Sequence, residues 1–441
     1  MIDDINRSFF LYRKIFQARP KPVSRSPVIF QRLPKQLIMV ELEKFRIHLL
    51  NDTGDVYFAG EKIRGIVKFK LNQATKIRQI SLNVNGRAEA SWTSKKKGRF
   101  GRKKRVHTGS ESIVSTNILL WPSHCHPTTS SQSSDLDYLP PGHYAFPFTY
   151  AVPCHCFSSY EGSHGSIRYI FTAIIDRLWR PDLECKLPFT VVELVDLNDE
   201  PTAARPINDH CVHRSVPISC LSNNIECQVQ TERTGFVPGE KISCSLWLSG
   251  HFGERVIKVK IRLIEISHFV ADSPVDGRKK QKFIVHRRTI TKTDDEILSA
   301  QNDNAEKQHF AKKYLSVPAL APMINNKCRP IQLSYQLEVK VISNDKKLLE
   351  RSYPILIGTI PLLGMHSMIN GQCQVNGHST NIFPQSSNYT ALLYTENFFG
   401  SSGPLYDEND GNITGPQFYT PRYPLYHVDC TEKCEIGNGG H

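Results

Sequence analysis

Residues 140–179 read PPGHYAFPFTYAVPCHCFSSYEGSHGSIRYIFTAIIDRLW, and they decide the fold. Tyr144, Phe146, Phe148, Tyr150 and Val152 recur at every second position, and so do Ile167, Tyr169, Phe171, Ala173 and Ile175. A period of two carried by aromatic and β-branched residues marks strands with one buried face. The turn-rich segment between them, Ser158 to Gly165, predicts that the two strands pair antiparallel.

The same period extends outward on both sides. Leu42–Leu50 begins a first β run. A tight turn at Tyr57-Phe58-Ala59-Gly60-Glu61-Lys62-Ile63 feeds a strand with Ile63, Gly65, Val67, Phe69 and Leu71 on one face. Lys62, Arg64, Lys68 and Lys70 take the other face. Ile80, Leu82 and Val84 alternate toward Trp92, Ser94–Gly109 reads as a long polar loop, and Ile113–Trp121 resumes as a strand. Phe189–Leu197 closes this unit.

The plan then repeats. Phe236-Val237-Pro238-Gly239-Glu240-Lys241-Ile242 mirrors residues 57–63, and Ile242, Cys244, Leu246 and Leu248 alternate after it. Ile257, Val259, Ile261 and Leu263 mirror Ile80 to Val84, and Leu333 to Val341 mirrors Ile167 to Ala173. Two copies of one all-β plan predict two tandem immunoglobulin-like antiparallel β-sandwiches. Their expected bounds are 39–198 and 214–362, joined by a linker at 199–213. Residues 1–38 read as a disordered basic extension, with Met39 opening a cleaner domain start. Residues 363–441 turn to Asn, Gly, Ser, Thr and Pro without an apolar period and read as a disordered tail.

The net charge of +13 is not spread over the chain. Residues 1–38 hold eight Lys and Arg against two Asp, and the eleven residues Lys95–Arg105 hold eight more, so the remainder is close to neutral. Such a distribution gives nucleic-acid binding little support. No apolar run reaches the ~18–20 residues of a membrane span. The twelve cysteines, with no secretory signal ahead of them, read as reduced thiols of a cytosolic protein. Cys154-His155-Cys156 and His124-Cys125-His126 lack the paired spacing of a zinc site. The chain carries no phosphate loop, no H-E-x-x-H and no G-x-S-x-G, so no enzyme, catalytic residue, metal or cofactor is expected. Asp176-Arg177 reads as a surface ion pair at a strand end.

The strongest candidate for binding is the basic segment Lys95, Lys96, Lys97, Arg99, Arg102, Lys103, Lys104 and Arg105. Like charges at that density are relieved by a ligand with several negative charges, such as a phosphoinositide, an acidic leaflet or a phosphorylated receptor tail. A nuclear-import signal and a solvated loop remain open beside it.

The order of Gly142-x-Tyr144-x-Phe146-Pro147-Phe148, Ser159-x-Glu161-Gly162, Gly165-x-Ile167-Arg168-Tyr169 and Ala173-x-Ile175-Asp176-Arg177-x-Trp179 resembles the N-terminal domain of the arrestin superfamily, most closely its α-arrestin branch. Phe236-x-Pro238-Gly239-Glu240 and the closing strand Pro354 to Pro361 resemble the C-terminal domain of that family. The resemblance spans residues 40–362. It implies a cytoplasmic, non-enzymatic adaptor that recognises cytoplasmic segments of membrane proteins and is recruited to the plasma membrane or endosomes. It also implies that P-P-x-Y motifs in the tail bind WW domains of HECT-type ubiquitin ligases. Here Pro404 and Tyr406, Pro421 and Tyr423, and Pro424 and Tyr426 keep the P-x-Y half and lack the first proline. The alternative is a signalling scaffold without ligase binding, linked to thioredoxin through a free cysteine as in one member of the branch.

Overall fold

The computed structural model describes residues 42–50, 54–98, 101–122, 138–214, 224–250, 257–275, 278–297, 307–324, 328–343, 346–363, 389–401, 403–406 and 410–428. The expected extension 1–38, Arg99 of the basic segment, the tail residues 364–388 and 429–441, and the His124–His126 triplet lie outside them.

The first domain is built from β1 (Leu42–Leu49), β2 (Val56–Phe58), β3 (Lys62–Leu71), β4 (Thr75–Gly98), β5 (Gly101–Trp121), β6 (Tyr138–Leu139), β7 (Gly142–Ala151), β8 (Tyr160–Gly162), β9 (Gly165–Arg177) and β10 (Leu183–Val192). The second uses β11 (Ile207–Arg214), β12 (Asn224–Thr231), β13 (Gly235–Phe236), β14 (Lys241–Gly250), β15 (Ile257–Val275), β16 (Arg278–Ile297), β17 (Lys307–Ser316), β18 (Ile331–Ser343) and β19 (Lys346–Ile357). Three strands follow in the tail, β20 (Tyr389–Glu396), β21 (Ile413–Thr414) and β22 (Arg422–Val428). Among the described residues the helical content is one 3-10 turn, Leu197–Asp199.

Each domain is a sandwich of two sheets. In the first, β1-β3-β7 faces a sheet containing β4-β9-β10-β2; in the second, β11-β12-β14-β17 faces β15-β18-β19-β13. The alternation read from sequence is the burial observed. In β3, Ile63, Val67, Phe69 and Leu71 are buried while Lys62, Arg64 and Lys68 are exposed. Ile167, Tyr169, Phe171, Ala173 and Ile175 of β9 are all buried.

The pairing expected for the two decisive strands is wrong. β7 pairs with β3, whereas β9 pairs with β4 and β10. The second half of the segment does turn back, as β8 pairing antiparallel with β9, while residues 152–159 before it are long enough to cross the ~10 Å between sheets. The two runs therefore meet face to face across the core. Phe148 and Tyr150 of β7 pack on Phe171 of β9 at ring-centroid distances of 5.4 and 6.0 Å, and Phe171 stacks on Phe189 of β10 at 4.4 Å.

The internal repeat holds at the level of single hydrogen bonds. Gly60 and Gly239 have φ of +94° and +102°, a region that favours glycine. Just after each, a glutamate folds back on its own turn. Glu61 Oε2 accepts from the Phe58 N–H and Glu240 Oε2 from the Val237 N–H, both at 2.9 Å. The strand before each turn, β2 or β13, lies parallel to the last long strand of its domain, β10 or β19.

Other expected boundaries shift. Ser94–Gly109 is not a loop, because β4 and β5 continue their ladder to Gly98↔Gly101. A backbone ladder tolerates charged side chains when both faces of a hairpin meet solvent. The closing strand β10 spans Leu183–Val192 rather than 189–197. The expected linker at 199–213 is shorter, since Ile207–Arg214 pairs with β12 as β11. Asp176 pairs with Arg78 rather than with Arg177, whose buried guanidinium donates to the Pro181 carbonyl.

The domains are not separate beads. β5 and β15 meet at the rung Thr108↔Asp272, which joins the two larger sheets into one of thirteen strands.

Candidate functional site

The tail is the largest correction to the sequence reading. Residues 389–401, 403–406 and 410–428 take a defined structure rather than the expected disorder: β20 pairs antiparallel with β22, and β21 adds in parallel to β10. This strap lies across both domains. Tyr423 is 0% exposed and donates to the Ser159 carbonyl at 2.6 Å; Tyr426 is 6% exposed and donates to the Thr359 carbonyl at 2.5 Å. The Tyr426 N–H reaches the Pro238 carbonyl at 3.0 Å, so β22 closes on the second of the two repeated turns. A Cβ on Gly239 would sit 1.9 Å from the Tyr426 carbonyl oxygen. On the first domain, Tyr419 Oη and Thr190 Oγ1 are 2.5 Å apart and the Arg422 N–H donates to Thr190 Oγ1 at 3.2 Å; within the strap, the Arg422 guanidinium donates to the Tyr394 carbonyl at 2.8 Å.

In this placement two of the three P-x-Y segments do not display their side chains to a WW domain. Pro421, Tyr423, Pro424 and Tyr426 are buried. A WW domain takes a proline and a tyrosine side chain into its own grooves, and these side chains fill the grooves of their own chain. In the third segment Pro404 is exposed and Tyr406 is half-buried, with its hydroxyl donating to the Gly415 carbonyl at 2.6 Å. Tyrosine serves this role because its ring buries as a hydrophobe while its hydroxyl needs only one acceptor.

The strap also caps a buried polar junction between the domains. Glu161 and Arg168 of the first domain form a bidentate pair at 2.6 and 2.8 Å. Glu265 of β15 accepts from Arg288 of β16 at 2.7 Å, from Tyr160 at 2.9 Å and from Ser267 at 3.1 Å. Tyr160 thus crosses the domain boundary, and desolvation pushes its hydroxyl pKa well above the ordinary tyrosine value. Arg288 also donates to the Glu161 carbonyl at 3.3 Å and stacks 3.4 Å over the Phe399 ring. Arg168 donates to the carbonyls of Gly403 and Pro404, both at 3.3 Å. Two carboxylates and two guanidiniums with extra hydrogen-bond partners satisfy what buried charges require. Sequence reasoning named Glu161 and Arg168 only within the motifs of the resemblance and did not join them to Glu265 and Arg288. The signal available was Glu161 and Arg168 seven apart around a turn, and nothing marked Glu265 or Arg288 as their neighbours.

Two basic surfaces face outward. On β1-β3-β7, Lys44, Arg46, His48 and Lys68 are exposed, and Lys70 is paired with Glu43 at 3.0 Å. Lys44, Arg46, His48, Lys68, Lys70 and His143 line a groove of about 450 Å³ on this face. Among the described residues β1 ends its sheet, and it lines a second groove of about 920 Å³ together with β10 and tail residues Tyr406 and 411–416. The other basic surface is the tip of the β4–β5 hairpin. There Lys95↔Lys104, Lys96↔Lys103 and Lys97↔Arg102 occupy successive rungs. Like charges directly opposite are destabilising, so this tip is not built for stability.

The family follows from the comparison of this chain with known proteins. The model of the Arrestin (or S-antigen), N-terminal domain matches residues 45–198, and that of the Arrestin (or S-antigen), C-terminal domain matches 221–362. The chain belongs to the arrestin superfamily. It is 28% identical over 350 residues to Arrestin domain-containing protein 17 of Caenorhabditis elegans, covering 79% of this chain and 78% of the relative. It is 26% identical to human Arrestin domain-containing protein 4, covering 70% of each, and 22% identical to human Thioredoxin-interacting protein, covering 72% and 75%. These relatives place it in the arrestin-domain-containing, or α-arrestin, branch. No helix among the described residues is long and apolar enough to cross a membrane.

Proposed function

We propose that this arrestin-type adaptor is non-enzymatic, binds cytoplasmic segments of membrane proteins and hands them to endocytic sorting or ubiquitination machinery. It works in the cytoplasm, with recruitment to the plasma membrane or endosomes. The observation that carries this is the β1-β3-β7 face. Its exposed Lys44, Arg46 and Lys68 surround a groove beside β1, which pairs on one side only among the described residues. An extended acidic or phosphorylated segment gains main-chain pairing from such an edge and charge pairing from such a face.

The test is proximity labelling in cells with the wild-type chain and with Lys44→Glu/Arg46→Glu/Lys68→Glu. The wild type is expected to label membrane proteins that the variant loses. A wild type that labels no membrane protein sinks the proposal.

Burial of Tyr423 and Tyr426 favours a second reading on the ligase side, a scaffold that recruits no ligase through its tail. A pull-down of the full chain with a WW-domain panel separates the two. Capture that needs Tyr423 and Tyr426 would restore the ligase link through these motifs. A thioredoxin link would run through Cys154, the one exposed thiol among the described cysteines, and not through the buried ones. Burial pushes Cys156 up to about 11 and Cys244 and Cys328 up to about 12, which removes their thiolate at neutral pH.

A further inference from the structure

The basic tip of β4–β5 is not alone. β5 leaves its hairpin end at Gly101, and β15 runs toward its own end at Val275. Because the two are antiparallel at Thr108↔Asp272, both hairpin ends project to the same side of that rung. At ~3.3 Å per residue, the seven residues of β5 and three of β15 reach ~23 and ~10 Å beyond it. The second hairpin is also basic at its end, with Arg278, Lys279, Lys280 and Lys282 on β16. The charges of the two meet at His107. Desolvation lowers its pKa first, and Arg105 of one hairpin and Lys282 of the other lower it further.

Register fixes what one face of this fork carries. Ser91, Thr108, Asp272 and Gln281 stand opposite one another across β4, β5, β15 and β16. Alternation then places Lys95, Lys104, Val106, Phe283, Val285 and Arg287 on that same face, all of them exposed. Phe283 is 73% and Val106 57% exposed. The acids on this face are taken up by arginines, Glu89 by Arg87 at 3.2 Å and Asp272 by Arg329 at 3.5 Å. Cations beside unburied apolar side chains on an open sheet suit a lipid interface, which accepts both at once. A phosphopeptide would use the cations and leave Phe283 in water.

We propose that this face of the β4–β5–β15–β16 fork docks on an anionic lipid bilayer. The docking deepens the reading that the adaptor works at membranes, and it needs no cargo. Phe283 and Val106 enter the headgroup region while the lysines of both hairpins hold acidic headgroups.

The test is sedimentation of the full chain with vesicles of phosphatidylcholine alone or with about a third phosphatidylserine. Binding is expected to the acidic vesicles only and to fall at high salt. Lys95→Gln/Lys104→Gln/Arg287→Gln, the three cations placed on this face, should weaken it on the order of 100-fold, since each cation near an acidic surface contributes about fivefold. Val106→Ser/Phe283→Ser, at exposed positions that stability does not depend on, should weaken it about tenfold. Melting temperatures check that both variants fold. Equal binding to neutral vesicles, or wild-type binding by both variants, overturns the proposal. So does uptake of a multiply phosphorylated peptide by a chain that ignores the vesicles. Because the vesicles hold no cargo, loss of the cargo labels described above leaves this result untouched.

Discussion

The strap of residues 389–428 and the β4–β5 hairpin tip looked alike from sequence: both polar, both without an apolar period, both marked as binding segments. The structure separates them. The strap buries Tyr419, Tyr423 and Tyr426 and gives each hydroxyl a partner. The hairpin tip keeps Lys95 and Lys104 exposed on facing strands. Tyrosine hides a hydrophobic ring inside a polar composition, whereas a run of lysines and arginines cannot be buried without partners. The strap is therefore a structural element, and the tip is not.

The largest effect that sharpens this contrast is expected at Tyr423. Tyr423→Ala removes a fully buried ring and should destabilise the chain by ~3–5 kcal/mol in denaturant unfolding. Tyr423→Phe keeps the ring and strands the Ser159 carbonyl, for a loss of about 1–2 kcal/mol. A loss within ~0.5 kcal/mol for the alanine variant would make the strap a surface ornament.

A second effect compares the two repeated turns. Gly60→Ala and Gly239→Ala both place a side chain at positive φ and should each cost about 1–2 kcal/mol. Gly239→Ala should cost more, because its Cβ would meet the Tyr426 carbonyl oxygen at 1.9 Å, while that of Gly60 meets only Cys154 Sγ at 3.3 Å. Faster proteolysis within 422–428 should accompany the Gly239 variant alone.

The hairpin tip should behave in the opposite sense. Lys103→Gln/Lys104→Gln/Arg105→Gln is expected to leave thermal stability unchanged or to raise it slightly at low salt, since each like-charged rung costs a few tenths of a kcal/mol. Clear destabilisation would mean that the tip is structural after all.

The smallest effect concerns His107, which is 5% exposed, stacked on Trp92 at 5.3 Å and hydrogen-bonded to Ser94 at 2.7 Å. Its folded pKa is lowered, so the folded state prefers the neutral ring. Stability from this preference is present above the ordinary histidine pKa and lost as pH falls below it. Between pH 7 and pH 5 the wild type should lose slightly more stability than His107→Phe. Equal pH slopes would remove His107 from the account.

The fold was legible because burial follows a period of two in β3, β9, β14 and β18, and because the G-E-K-I turn occurs twice with the same hydrogen bonds. Partners were not legible. Nothing in the runs 144–152 and 167–175 tells adjacent strands in one sheet from strands facing across a core; that depends on where the connecting segment crosses. The junction of Tyr160, Glu161, Arg168, Glu265 and Arg288 was hidden for a related reason. Its charges are 7–127 residues apart, and what makes them a site is the docking of two domains. The second basic prong at Arg278–Lys282 stood in the sequence as four cations in five residues; what was hidden was the Thr108↔Asp272 rung that sets it beside the first.

Hydrogen exchange on the full chain tests the structural role of the strap most directly. Amides of β20 and β22 that pair with each other, and that of Tyr426, bonded to Pro238, should be protected to within about tenfold of those in β18. Exchange of residues 391–396 and 422–428 at the rate of an unstructured peptide would contradict the account and return the segments Pro421–Tyr423 and Pro424–Tyr426 to the role of free ligands.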